Sequence, residues 1–153
     1  MPGYFIDTSA LAKLYHAEVG SPQMEMLVQS PDSRLIISQL SVIELQSVFA
    51  AKVRTRVIDQ ASLIQLRGLF FADLADGRFK MVLVSGRYFR SADRLIRTHA
   101  VSRALRTLDA LQLAVAVELH RRGAGTALVA SDRNLCDVAI AEGLQVVNPI
   151  QGL

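Results

Sequence analysis

The sequence predicts an α/β domain: a mainly parallel central sheet of about five strands with helices on both faces. Three observations lead there. Short apolar runs of strand length alternate with longer stretches of helical periodicity along the whole chain. Those runs are continuously apolar, as strands covered on both faces are, rather than alternating apolar with polar. At 153 residues, 51% hydrophobic and 20% charged, the chain is the size of one domain with a sizeable core. It carries no repeat, low-complexity tract or linker that would divide it, so residues 1–153 read as a single unit.

The first strand is the run Tyr4 to Ile6, with Asp7 at its end. Thr8 and Ser9 then open a helix carrying Leu11, Leu14 and Tyr15. Gly20 marks a turn, and Ser21-Pro22 starts a second helix whose apolar face is Met24, Leu27 and Val28. Arg34 to Ser38 is a second buried strand. A helix from about Leu40 to Arg54 follows, with Ile43, Leu45, Val48 and Phe49 expected inward and Glu44 at the edge of that stripe. Ile58 to Leu74 is a further helix, closed by Asp76-Gly77. Phe79 to Val84 is a third strand and Ser85-Gly86 a turn.

Tyr88 to Leu105 is helical in pattern, with Phe89, Ala92, Ile96 and Ala100 on one side. Roughly opposite stand Arg87, Arg90, Arg94 and Arg97, whose 3-4-3 spacing stacks them on one face. Thr107 is placed to cap the next helix, which runs through Arg121 and ends at Gly123. Thr126 to Ala130 is a fourth strand, Ser131-Asp132 opens a last helix to Glu142, and Gln145 to Val147 is a final short strand.

Composition narrows the function classes. Cys136 is the only cysteine, which excludes a disulfide framework and a cysteine-based zinc site and fits a reducing, cytoplasmic compartment. No basic segment followed by a long apolar core stands at the N-terminus, so no signal peptide is expected. The most apolar stretch, Leu108 to Leu119, contains Asp109 and Glu118 and is too short to span a membrane. A net charge of +3 and a pI near 9.4 suit a polyanionic partner. Fourteen arginines stand against three lysines, and guanidinium recognises phosphate better than ammonium does.

Four carboxylates stand where structure alone asks for few: Asp7, Glu44, Asp109 and Asp132. Each has an ordinary explanation or a near one. Asp7 and Asp132 follow strands and precede helices, so they can be N-caps, and Asp109 suits the positive end of a helix dipole. Glu44, mid-helix among apolar neighbours, has no capping role. If the first and fourth strands are adjacent and parallel, Asp7 and Asp132 share one edge of the sheet, within reach of the helix that starts near Asp109.

Carboxylates within ~4 Å repel by roughly 4 kcal/mol per pair at an effective dielectric of 20, so such a cluster takes up protons or binds a cation. Oxygen ligands without His or Cys select hard ions, Mg²⁺ or Mn²⁺. His16, His99 and His120 lie on helices away from these motifs and read as surface or rim residues. A hard-metal site in an arginine-rich chain points to phosphodiester chemistry, with one or two ions activating water and stabilising the leaving oxygen. The Arg87/Arg90/Arg94/Arg97 stripe, or Arg54 and Arg56, could hold phosphates. The stripe could equally be a solvated helix face or bind an acidic partner protein.

Phe5-Ile-Asp-Thr-Ser-Ala-Leu-Ala-Lys13, Ser41-Val-Ile-Glu-Leu45, Leu108-Asp-Ala-Leu-Gln-Leu-Ala-Val-Ala116 and Val129-Ala-Ser-Asp132 resemble, in order and near spacing, the four acidic motifs of PIN domains. The resemblance is strongest to VapC-type toxins of type II toxin–antitoxin pairs, and it covers the chain. It implies that Asp7, Glu44, Asp109 and Asp132 hold Mg²⁺ or Mn²⁺, with Thr8 and Ser131 as hydroxyl residues beside the metal. Asp137, about one helical turn past Asp132, is an alternative fourth ligand. The resemblance further implies an endoribonuclease that pairs as a homodimer and is inhibited by a small antitoxin in the acidic groove. The basic helix from Tyr88 to Leu105 matches no motif of the family.

The competing reading is a catalytically silent PIN-like module that binds RNA or a partner protein. A haloacid-dehalogenase-type phosphatase would need an Asp where Ser9 stands. A phospho-receiver domain would need an Asp at the end of a central strand, absent from Val82 to Ser85, and a Lys after a late strand.

Overall fold

Five strands lie at the centre of the computed structural model, which describes residues 2–151. They are β1 (Gly3–Ile6), β2 (Arg34–Ser38), β3 (Lys80–Val82), β4 (Thr126–Val129) and β5 (Val146–Val147). All pair in parallel, in the order β3-β2-β1-β4-β5. Parallel pairing follows from the connections, since at least one helix separates each strand from the next and returns the chain to the same end of the sheet. These helices are α1 (Thr8–Leu11, continued by a 3₁₀ turn at Ala12–Leu14), α2 (Ser21–Gln29), α3 (Gln39–Arg54), α4 (Gln60–Ala75), α5 (Gly86–His99), α6 (Thr107–Arg121) and α7 (Arg133–Ala141).

The period-2 geometry of a strand divides each apolar run between two cores. Phe5, Ile36 and Leu128 face one side, where they meet apolar side chains of α5, α6 and α7. Ile6, Leu35, Ile37 and Val129 face the other, where α1 to α4 supply Leu11, Met24, Leu45, Phe49, Leu63 and Phe70. Helix α6 is the most deeply buried, covered from Ala110 through Val117, and apart from Gln112 that stretch is apolar all round, as a helix buried on every face is. One tight approach depends on glycine. Gly20 has φ +94°, and a Cβ there would come within 3.2 Å of Lys13 and of the Pro149 backbone.

Several local expectations need correction. Helix α5 stops at His99, not Leu105, because the backbone N–H of Arg103 and the N–H and hydroxyl of Ser102 close a turn on the His99 carbonyl. Leu105 is buried on its own as an anchor before α6. Thr107 is the first residue of α6 and not its cap, since the capping position is Arg106, whose side chain makes no capping bond. Ile43, expected inward, is exposed, and so is Phe89 on the side opposite the arginine stripe. The ladder of β3 covers only Lys80–Val82, and α4 begins at Gln60 because Asp59 caps it through the Ser62 N–H at 2.7 Å.

Candidate active site at the carboxyl ends of β1 and β4

The strand order reverses between β1 and β4, and open α/β sheets bind ligands at such a switch point, outside the carboxyl ends of the strands. A cleft of about 720 Å³ lies there, and all four predicted acids line it: Asp7, Glu44, Asp109 and Asp132. Register explains the convergence. Ile6 pairs with Val129, so Asp7 leaves β1 beside the turn that carries Ser131 and Asp132. Glu44 comes from α3 on one side, and Asp109, in the first turn of α6, from the other.

Capping and cleft lining turn out to be compatible. Asp7 caps α1, its Oδ2 accepting the Ser9 N–H at 3.2 Å and the Ser9 hydroxyl at 2.7 Å. Asp132 caps α7, its Oδ1 accepting the Leu135 N–H at 2.9 Å. Asp137 does not share the cleft. It pairs with Arg103 at 3.0 Å and lines a separate cavity of about 320 Å³ with Cys136 and Asn148.

The electrostatics are those of an under-neutralised acidic cluster. Asp7 is only 5% exposed. Burial pushes its carboxyl up, the Ser9 bonds offset part of this, and the charge on Asp109 pushes it further up. Glu44 is likewise raised by burial, with Gln112 opposing and the charges on Asp7 and Asp109 adding. Among the described residues Arg106 is the only cationic side chain lining the cleft, and its contact with Asp109 is a long 3.4 Å from a largely exposed guanidinium. Burial and then the Asp132 and Asp7 charges hold the Cys136 thiol up at about 11, so it is protonated at neutral pH and not a nucleophile.

Hydroxyl groups hold two of the acids in place. Thr8 donates to Glu44 at 3.3 Å. Ser9, which sequence reasoning passed over, donates to Asp7 and accepts the Ser131 N–H at 3.1 Å, joining the ends of β1 and β4. The Ser131 hydroxyl is buried without a hydrogen-bond partner among the described residues. Gln112, also passed over, bonds Glu44 at 2.7 Å from the middle of α6. A polar side chain between Leu111 and Leu113 was the signal that could have found it.

The donor set tests what the cleft could hold. Its acids offer oxygen alone, suited to a hard cation, and the raised Asp7 and Glu44 carboxyls mark negative charge the protein does not itself balance. Among the described residues no group of three acids forms a ready-made cage.

None of the four stripe arginines lines the cleft. Arg94 forks onto Glu142 at 3.1 and 2.9 Å, and Arg97 pairs with Asp93. Arg87 and Arg90 are exposed, as are Arg54 and Arg56 at the end of α3. The histidines also stay outside the cleft. His120 is exposed, whereas His16 contacts Lys52 and His99 bonds Glu142 at 2.7 Å, both largely covered.

The family model for the PIN domain matches residues 4–141. No curated protein matches the chain significantly. Among solved structures, the chain is similar to VapC20 of Mycobacterium tuberculosis, a toxin that cleaves the sarcin–ricin loop. The TM-score is 0.68 at 18% identity, covering 95% of this chain and 99% of that one. It is also similar to a toxin–antitoxin complex from Klebsiella pneumoniae (0.61, 19% identity, 95% and 97% covered) and to VapBC-1 from nontypeable Haemophilus influenzae (0.61, 15% identity, 96% and 98% covered). At these identities the likeness is one of fold.

Proposed function

The chain belongs to the PIN domain family, and from that premise we propose that it is a metal-dependent endoribonuclease, the toxin of a toxin–antitoxin pair. The observation that carries this reading is the convergence of Asp7, Glu44, Asp109 and Asp132 on one cleft at the switch point of the sheet. Asp7 and Asp109, with Asp132 and Glu44 directly or through water, would hold Mg²⁺ or Mn²⁺. That ion, when bound, supplies a water of lowered pKa as nucleophile and charge stabilisation at phosphorus.

The residues of the chain do the rest. Ser9 fixes the Asp7 carboxylate and the β4 turn against each other. Thr8 and Gln112 fix Glu44. Arg106, exposed at the mouth of an otherwise acidic cleft, offers a forked contact to a backbone phosphate that the carboxylates alone would repel. Single-stranded RNA suits a cleft open to solvent.

A small protein antitoxin and a second copy of the chain complete the proposed partners. Ile43 and Leu108 put exposed apolar surface at the lips of the cleft, which suits an antitoxin segment presenting apolar side chains and a cation. The toxin–antitoxin complexes among the structural neighbours support the same pairing. No helix among the described residues is long and apolar enough to cross a membrane, and a cytoplasmic site of action is proposed from the single reduced thiol. The test is cleavage of a mixed single-stranded RNA pool by partner-free protein in Mn²⁺ or Mg²⁺ and its loss in EDTA. Retention of RNA or protein without cutting would instead identify a binding module.

A further inference from the structure

Beneath the acidic cleft lies a polar cluster whose inner members, Gln112, Ser38 and Ser41, no solvent reaches. Gln112 is fully buried in α6, surrounded along the helix by Ala110, Leu111, Leu113 and Ala114. It lies three residues after Asp109, one turn deeper on the same helical face. Its Oε1 accepts the Ser38 hydroxyl at 2.7 Å. Its Nε2 lies 2.7 Å from Glu44 Oε1, 3.1 Å from Thr8 Oγ1 and 3.1 Å from Ser41 Oγ. An ionised carboxylate only accepts hydrogen bonds, so Glu44 requires the amide nitrogen on its side, and the Ser38 O–H then belongs on the oxygen. The orientation of the amide is thereby determined from both ends.

We propose that Gln112 is a positioning residue: it holds Glu44 through Oε1 and so leaves Oε2 turned over to the cleft. Thr8 and Gln112 both reach Glu44 at Oε1, and Oε2 has no hydrogen-bond partner among the described residues. A buried amide gains nothing for α6 that a Leu or Met of similar size would not supply by packing, because its bonds only repay its desolvation. What it adds is a fixed link from the end of β2, through Ser38, to a carboxylate on α3. This inference rests on the metal-dependent reading of the cleft and names the group that orients one of its ligands.

The experiment is Mn²⁺ titration by calorimetry of the wild type, Gln112→Met, Glu44→Gln and the double variant, with thermal melts of each in EDTA. Ligand-orienting partners typically contribute about 10–100-fold to metal affinity. Gln112→Met is expected to weaken Mn²⁺ binding in that range, and the double variant to bind no worse than Glu44→Gln alone, because Gln112 acts through Glu44. Ser38→Ala, which removes only the group that orients the amide, is expected to weaken binding in the same direction by less, and serves if Gln112→Met does not fold. Unchanged Mn²⁺ affinity in a folded Gln112→Met or Ser38→Ala variant, whatever its melting point, would overturn the assignment. So would losses that add in the double variant. A wild type that binds no Mn²⁺ would instead remove the metal reading itself, and the assignment with it.

Discussion

Asp7→Asn separates what the cleft costs in stability from what it does. The amide is nearly isosteric and remains a good N-cap, so the bond from the Ser9 N–H survives. The 2.7 Å bond from the Ser9 hydroxyl loses its charge assistance, a cost of about 0.5–1.5 kcal/mol. Against this, the variant removes a buried charge that also faces Asp109. Because burial and Asp109 together outweigh Ser9 and raise the Asp7 carboxyl, the balance favours the variant. A net gain of about 1 kcal/mol is expected without metal, within the range for relieving strain at a functional site. For a chain of this size that is a rise of about 2–4 °C in Tm.

Metal should reverse the order. At a free concentration of about 100 Kd, Mn²⁺ stabilises the form that binds it by about 2.7 kcal/mol, and this gain should belong to the wild type and not to Asp7→Asn. Thermal melts of both proteins, in EDTA and across a Mn²⁺ series, therefore predict crossing curves. If Asp7→Asn melts well below the wild type in EDTA, the protein balances the Asp7 charge internally and the account of an under-neutralised cluster is wrong. Parallel curves across the Mn²⁺ series would refute the role of Asp7 as a ligand.

Three further outcomes follow from the same geometry. The pH dependence of stability without metal has two parts of opposite sign. Asp7 and Glu44, raised in the folded state, make it less stable as pH rises through their folded values. Glu142, held down to about 2 by Arg94 and His99 against its burial, adds stability above the ordinary carboxylate range that is lost as pH falls from there toward 2. Urea midpoints in EDTA should thus peak on the acidic side of neutrality, and a monotonic rise to pH 8 would contradict this. Glu142→Gln should cost about 1–3 kcal/mol, reduced from a fully buried pair because Arg94 is 39% exposed, with RNA cleavage per folded molecule unchanged; denaturation and activity assays check the two halves. Arg106→Ala should raise KM for RNA more than it lowers kcat and reduce the salt slope of binding by about 0.7, measured by steady-state cleavage and RNA binding at several salt concentrations.

The sheet and the four acids were legible because each motif joins a continuous apolar run, or an apolar helix, to a carboxylate, and the strand order brings the four motifs to one end of the sheet. Adjacency of β1 and β4 made Asp7 and Asp132 neighbours without any further information. The supporting shell was harder to read. Ser9 looked like a helix-opening residue, and nothing local shows that its hydroxyl reaches the Ser131 N–H on another strand. Gln112 could have been noticed as polar within a buried helix, yet its partners lie 68 to 104 residues away in sequence.

The arginine stripe shows the limit of periodicity. Spacing puts the four side chains on one face, but Glu142, 48 residues from Arg94, decides that Arg94 clamps α7. Ile43 and Phe89 fall on plausible apolar stripes yet point to solvent. Period alone gives the stripe, and the width of the neighbouring elements decides how much of it they cover.

The account stands or falls most directly on RNA cleavage by partner-free wild type and Asp109→Asn, side by side, in Mn²⁺ and in EDTA. Asp109 lines the cleft without capping a strand-to-helix turn, so its loss removes charge from the site with little effect on the fold. Cleavage by the wild type in Mn²⁺, abolished by EDTA and by the substitution, is the predicted result. Cleavage that persists in Asp109→Asn with the same metal dependence would contradict the assignment of the chemistry to this cleft.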